Sequence, residues 1–378
     1  MTLREAIIRK AKRIVIKIGS SIIASKEMGL NYEKIERIAN DISQIRAEGY
    51  EIIIVSSGAV VSGMGKMGIK EYPKNIPIKQ AAAALGQSRL IRVYEKTFDK
   101  FGEKVAQILL THDDLSNRKR FLNSRNTLHT LLKYNVIPII NENDTVSIDE
   151  IKFGDNDNLA GLTTNLISAE LLIILSDVDG LFSDDPRINP EAALIPLIKK
   201  VTRDIEIMAE TSLPTEGRGG MYSKVLTAKH VSRYGIPTII LNGHKGHILR
   251  MLFEGREDIG TLFLPEKNTL NSRKHWIAYN LRPKGRLIID DGAVNALVNY
   301  GKSLLPSGIA AIEGKFDSGD PVTCMDKSGR EVARGLVNYS SSEVIVIKGA
   351  KTKDIERILG YRYYDEIIHR NNMVINRD

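Results

Sequence analysis

The chain has 378 residues, 42% hydrophobic and 26% charged, which is the composition of a globular protein with more than one core. Its single cysteine, Cys324, excludes an intrachain disulfide and any multi-cysteine metal site, and fits an inert thiol in a reducing compartment. The net charge is +8, and residues 271–378 carry 17 Lys+Arg against 13 Asp+Glu, so the excess is spread along the chain; it suits anionic ligands such as nucleotides. The opening dozen residues are charged and helix-like, unlike a signal peptide, and no run of about 18 apolar residues occurs. The expectation is a cytoplasmic protein that does not span a membrane.

Residues 1–262 read as alternating strands and helices. Strands are expected at 14–18, 51–55, 105–110, 136–140, 171–175 and 238–241. Helices are expected at 32–47, 78–98, 117–134, 158–169 and 221–234. The strands are continuous apolar runs without polar alternation, the mark of a sheet covered on both faces. That means an α/β sandwich with a largely parallel sheet. Most strands end in Gly, Ser, Asn or Asp, and in a parallel sheet those ends share one edge, where ligands bind. Residues 263–275 are polar and read as a linker. From 276 to 378 the segments are short and β-rich, at 286–289, 308–313, 321–325, 331–337 and 343–347, which predicts a small β-barrel-like second domain.

Six stretches carry chemistry. Lys17-Ile18-Gly19-Ser20-Ser21 puts a compact positive charge and a close-approach glycine at the end of the first strand. It reads as a phosphate site with Lys17 on the transferred group, or as a β-turn with a solvated lysine. Gly154-Asp155-Asn156-Asp157-Asn158 opens a helix and offers acceptors for an ammonium, a lysine pair or Mg²⁺; a capped turn is the plainer reading. Asn141-Glu142-Asn143-Asp144 shares that alternative but follows a buried strand directly. Gly217-Arg218-Gly219-Gly220-Met221-Tyr222-Ser223-Lys224 is a glycine-rich loop running into a helix, whose N–H groups and dipole would cradle phosphates. Lys224 near a helix start is unfavourable unless an anion lies close. Ser176-Asp177-Val178-Asp179-Gly180 and Asp184-Asp185-Pro186 mark turns that would meet adenine and ribose. The seven histidines show no metal spacing, and no metal ligand set is expected.

In this order, and together with Ser56-Ser57-Gly58 and Gly86-Gln87-Ser88-Arg89-Leu90, these blocks resemble the glutamate 5-kinase branch of the amino acid kinase family. Residues 303–309, 316–320 and 329–335 resemble a PUA domain. Arg218 stands where many relatives carry a small polar residue. The resemblance implies ATP-dependent phosphorylation of the L-glutamate side-chain carboxylate, with Mg²⁺ carried by ATP, as the first step of proline synthesis. It implies Lys17 and Lys224 on the transferring phosphoryl group and Asp157 organising them. Ser57, Asn141, Asp144, Asp155 and Asn156 would bind glutamate. Lys17, Gly19, Ser20, Ser176, Asp177 and residues 218–224 (Arg218, Gly219, Gly220, Met221, Tyr222, Ser223 and Lys224) would bind ATP. A homo-oligomer, proline as feedback inhibitor and a glutamyl phosphate reductase as partner follow from the same likeness. The alternatives are a kinase for another small carboxylic acid and, through the PUA-like segment, an RNA-binding protein; the modest charge of that segment speaks against the second.

Overall fold

The computed structural model describes residues 1–24, 29–146, 156–211, 220–266 and 281–376. The chain forms two compact units, Met1–Thr269 and Leu270–Asp378. Three expected site residues, Asp155, Arg218 and Gly219, lie outside the described residues, as do residues 267–275 of the expected linker. Main-chain bonds from Leu264 to Ile198 and from Glu266 to Ser232 keep the chain on the first unit through Glu266.

The first unit is built on an eight-stranded sheet. In chain order the strands are β1 (Arg13–Ile18), β2 (Glu51–Ser56), β3 (Lys104–Leu110), β4 (Val136–Glu142), β5 (Leu171–Ser176), β6 (Leu197–Ile198), β7 (Thr238–Asn242) and β8 (Thr261–Phe263). Their spatial order is β3-β4-β2-β1-β5-β7-β8-β6. The pairings from β3 to β7 are all parallel, and only β8 runs antiparallel to β7. β5 is buried along its whole length and β1 from Ile14 onward, as their unbroken apolar runs require. The order reverses between β1 and β5, so the chain leaves these two strands on opposite sides and opens a crevice beyond their carboxyl ends.

Helices cover both faces. The helix Tyr32–Ala47 turns Ile35, Ile38, Ile42 and Ile45 into the core and starts at Asn31, whose side chain accepts from the Lys34 N–H. Helices absent from the sequence reading include Ala59–Met67, Arg203–Thr211 and Ile248–Phe253. Ala59–Met67 begins at Gly58, which holds φ +101° where a Cβ would press on Ile23. It lies against Ile76–Asp99 with their backbones in contact. A Cβ on Gly63 would overlap the Ala82 carbonyl, and one on Gly86 would overlap the Ala59 carbonyl. The run of small residues from Ala81 to Ala84 thus serves helix packing.

The second unit holds β9 (Gly285–Ile289), β10 (Ile309–Gly314), β11 (Pro321–Met325), β12 (Glu331–Leu336) and β13 (Met373–Ile375) in one sheet ordered β10-β9-β11-β12-β13. Cys324 is fully buried there, and burial pushes its thiol up to about 12. The expected strand at 343–347 is instead part of the helix Ser341–Ile347. The β-branched sequence misleads because Ser340 and Glu343 form a reciprocal capping box, and burial then falls on Val344 and Ile347 with helical spacing.

The contact between the two glycine helices leaves no room for a methyl group. Gly86→Ala should therefore destabilise the protein by roughly 1–3 kcal/mol, the usual cost of overpacking. Leu85→Ala, at a side chain 42% exposed on the same helix, should change stability by less than about 1 kcal/mol. Urea unfolding of the two variants measures both.

Candidate functional site

The carboxyl ends of β1, β2, β4, β5 and β7 gather polar residues on one edge of the sheet, and the first turn of the helix Asn156–Leu166 lies beside them. That turn carries Asp157, which is fully buried and sits where the helix dipole favours an anion. Lys17, at the end of β1, places Nζ 2.5 Å from Asp157 Oδ1. Lys224, the fourth residue of the helix Met221–Ser232, places Nζ 3.4 Å from Asp157 Oδ2. The Ser223 hydroxyl donates to the same Oδ2 at 3.0 Å. Both lysines are only 4% exposed. One carboxylate thus bridges two ammonium groups from different elements, and the cluster carries net positive charge.

The approach of the two helices is set further along. Gly161 faces Thr227 and Val231, and a Cβ there would come within 3.1 Å of Thr227 Cγ2 and 3.3 Å of Val231 Cγ2. A larger residue would push Lys224 away from Asp157.

On one side of the cluster lies a cavity of about 310 Å³. It is lined by Ser176 and Asp177 at the end of β5, by residues 178–182 and 184–187, and by Met221, Lys224 and Asn242. Gly180 holds φ +152°, where a Cβ would meet Thr261, so the turn after β5 can fold back under the cavity. Asp185 is buried and receives two N–H bonds from the Arg187 guanidinium, at 2.9 and 2.7 Å, which fixes the wall. Asn242 and Lys245 both reach Asp179, at 3.0 and 2.7 Å. The sequence assigns no part to Asn242, which lies in no recognisable motif; Arg187 belongs to the Asp185-Pro186-Arg187 block of the family resemblance, without a role of its own.

On the other side is a compact amide cluster. Asn156 Nδ2 donates to Ser57 Oγ at 2.8 Å, to Asn141 Oδ1 at 3.1 Å and to the Ser56 carbonyl at 3.2 Å. Its Oδ1 is buried and accepts no hydrogen bond among the described residues. Beneath, the Ser56 hydroxyl meets Tyr94 OH at 2.9 Å, and burial raises the Tyr94 phenol so that it stays neutral.

Of the expected site residues, Lys17, Asp157, Ser223 and Lys224 meet in the central cluster, and Ser57, Asn141 and Asn156 in the amide cluster. Ser176, Asp177 and Met221 line the cavity. Gly220 caps the Met221–Ser232 helix, and its carbonyl accepts from Ser223 and Lys224. The Gly19 N–H donates to the Leu175 carbonyl at 3.2 Å, so it is spent within the sheet; Ser20 opens the short helix that follows, where first-turn N–H groups lack helical acceptors. Asp144 is half-buried in the turn after β4. Tyr222 is 38% exposed and is not part of the cavity wall. No group of three or more metal-binding side chains occurs among the described residues.

Removing a carboxylate from between two buried ammonium groups leaves their charges uncompensated, which in proteins typically costs about 3–5 kcal/mol. Asp157→Asn should lower the urea midpoint accordingly, whereas neutralising the exposed pair Lys100–Glu36 should cost at most about 1 kcal/mol.

The amino acid kinase family model matches residues 12–242, and the PUA domain model matches residues 285–359. The chain is 55% identical to a glutamate 5-kinase from Geobacter sulfurreducens and 56% to one from Geobacter metallireducens, in each case over 99% of this chain and 100% of the relative. It is 52% identical to the glutamate 5-kinase of Caldanaerobacter subterraneus subsp. tengcongensis, over 96% of this chain and 97% of that one. The chain therefore belongs to the amino acid kinase family, in the glutamate 5-kinase group that carries a PUA domain after the kinase domain.

Proposed function

We propose that the protein transfers the γ-phosphoryl group of ATP to the side-chain carboxylate of L-glutamate, giving L-glutamyl 5-phosphate, the first step of proline synthesis. The observation that carries this reading is the Lys17–Asp157–Lys224 bridge, which stands between a nucleotide-sized cavity and an amide cluster.

The chemistry suits these groups. A glutamate side chain is ionised at neutral pH, its ordinary pKa being about 4.3, so it attacks without a general base. What remains is to bring two anions together and to hold the charge that spreads over the phosphoryl oxygens. Lys17 and Lys224 flank the transferring group, and Asp157 keeps both ammonium groups in place without cancelling both charges. ADP departs as the acyl phosphate forms. Ser176, Asp177, Gly220, Met221 and Ser223, with the N–H of Ser20, line the nucleotide. Ser57, Asn141, Asp144 and Asn156 bind glutamate, Asp144 as the carboxylate partner of its ammonium group and Asn156 Oδ1, which accepts no hydrogen bond among the described residues, as a further acceptor for it.

The carboxylates of the cavity wall are already engaged within the chain: Asp177 with Ser176, Asp179 with Lys245 and Asp185 with Arg187. That donor set fits a Mg²⁺ held mainly by ATP phosphates. When bound, the ion would screen the phosphate charge of ATP. The kinase domain and the PUA domain at 276–378 complete the proposed organisation; the expected boundary at 262 shifts to Glu266, since residues 263–266 of the expected 263–275 linker are bonded to the first unit. A cytoplasmic location, assembly into homo-oligomers, inhibition by proline and delivery of product to a glutamyl phosphate reductase belong to the same reading. No described helix is long and apolar enough to cross a membrane.

Hydroxylamine traps acyl phosphates and ignores phosphate esters. With ATP, Mg²⁺ and hydroxylamine, the protein should give hydroxamate from L-glutamate, and Lys17→Ala or Lys224→Ala should lower kcat by at least about 100-fold with the fold retained. Absence of hydroxamate from a folded, ATP-binding protein would overturn the reaction class. Near-normal turnover in either lysine variant would overturn the assignment of the site.

A further inference from the structure

Gln87 lies in a block singled out from the sequence, Gly86-Gln87-Ser88-Arg89-Leu90, to which the proposed reaction assigns no task. It is 7% exposed, in the middle of the helix Ile76–Asp99. Its Nε2 donates to the Glu142 carbonyl at 3.2 Å. Its Oε1 accepts from Gln107 Nε2 at 3.0 Å and from Asn141 Nδ2 at 3.3 Å. Asn141 in turn presents Oδ1 to the Glu142 N–H at 2.9 Å and to Asn156 Nδ2 at 3.1 Å.

Each amide in this chain has one orientation. A main-chain carbonyl only accepts and a main-chain N–H only donates. The Glu142 carbonyl therefore requires the nitrogen of Gln87, and the Glu142 N–H requires the oxygen of Asn141. The Ser56 carbonyl likewise requires the nitrogen of Asn156. The polarity runs from Gln87 through Asn141 to Asn156 and ends on the buried Asn156 Oδ1, an acceptor with no partner among the described residues. A ligand that meets this atom must donate.

We propose that Gln87 is a positioning residue for glutamate. By accepting from Asn141 it reinforces the orientation that the Glu142 N–H gives that amide, and so steadies Asn156 with its nitrogen on Asn141 and its oxygen left for the substrate ammonium. The inference rests on the proposed glutamate kinase reading. Gln87 touches neither substrate nor nucleotide; its seat is fixed by Gly86, packed on the Ala59 carbonyl.

Two variants of the full-length protein test it, with KM for L-glutamate, KM for ATP and kcat measured for each. Gln87→Met keeps the length and removes the acceptor. Asn141 is then held through its Oδ1 alone, with its buried Nδ2 left without an acceptor, and KM for L-glutamate should rise by at least about tenfold, with KM for ATP and kcat within about twofold. Gln87→Glu, neutral in this buried seat, keeps the acceptor for Asn141 and offers an O–H to the Glu142 carbonyl, and should hold KM for L-glutamate within about threefold of the parent. An unmoved KM in Gln87→Met overturns the proposal. So do equal increases in both variants, or a parallel rise in KM for ATP, which a packing defect would produce. If Gln87→Met does not fold, Gln87→Glu decides alone: a tenfold rise in its KM for L-glutamate refutes the role. A parent protein inactive on L-glutamate would instead overturn the kinase reading beneath the proposal.

Discussion

One buried carboxylate sets the terms for the first unit's site. Two lysines drawn into the interior from different elements would repel each other and lose hydration, a cost of several kcal/mol for each charge. Asp157 answers both, with Oδ1 toward Lys17 and Oδ2 toward Lys224. The arrangement is not a stabilising device in itself, since a buried ion cluster seldom outperforms apolar packing. Its product is a rigid positive site whose two ammonium groups are separated and aimed before any anion arrives, which is the electrostatic preorganisation phosphoryl transfer needs.

Everything that places Asp157 is packing. The sheet brings the ends of β1, β2, β4 and β5 to one edge because their pairings are parallel, and the crevice opens where the order reverses between β1 and β5. The helix Asn156–Leu166 presents Asn156 to the β2 and β4 side and Asp157 to the β1 side through consecutive residues. Gly161 lets the Lys224 helix come close from the other flank. A single helix start therefore joins acceptor recognition to charge placement, and the two cannot shift independently.

Much of the first unit was legible because its signals are local. The isoleucine spacing of Tyr32–Ala47, with Gly49 beyond, allows one reading, and the apolar runs of β1, β2 and β5 exceed what a half-exposed strand would carry. The helix Ala59–Met67 was missed because Gly63 and Gly65 lower its propensity, while its stability comes from contact with Gly86, more than 20 residues away. The helix Ser341–Ile347 was misread because β-branched side chains were weighed and a capping box was not. At the site, Lys17, Asp157 and Lys224 each had a plain local alternative, a solvated lysine or a capped turn. Only family resemblance linked them, since no periodicity relates residues so far apart. Gln87 had no local signature, because a glutamine within a helix looks alike whether it faces solvent or orders an amide chain.

The central claim is that Asp157 acts on the reaction only through the lysines it holds. Groups that work as a unit show strongly non-additive losses. The direct measurement is single-turnover phosphoryl transfer in Asp157→Asn, in the variant with both Lys17→Ala and Lys224→Ala, and in the triple variant, with ATP and L-glutamate saturating. The account predicts that the triple variant is no slower than the double-lysine one, within about threefold. Losses that multiply would mean that Asp157 contributes apart from the two lysines, and would contradict it.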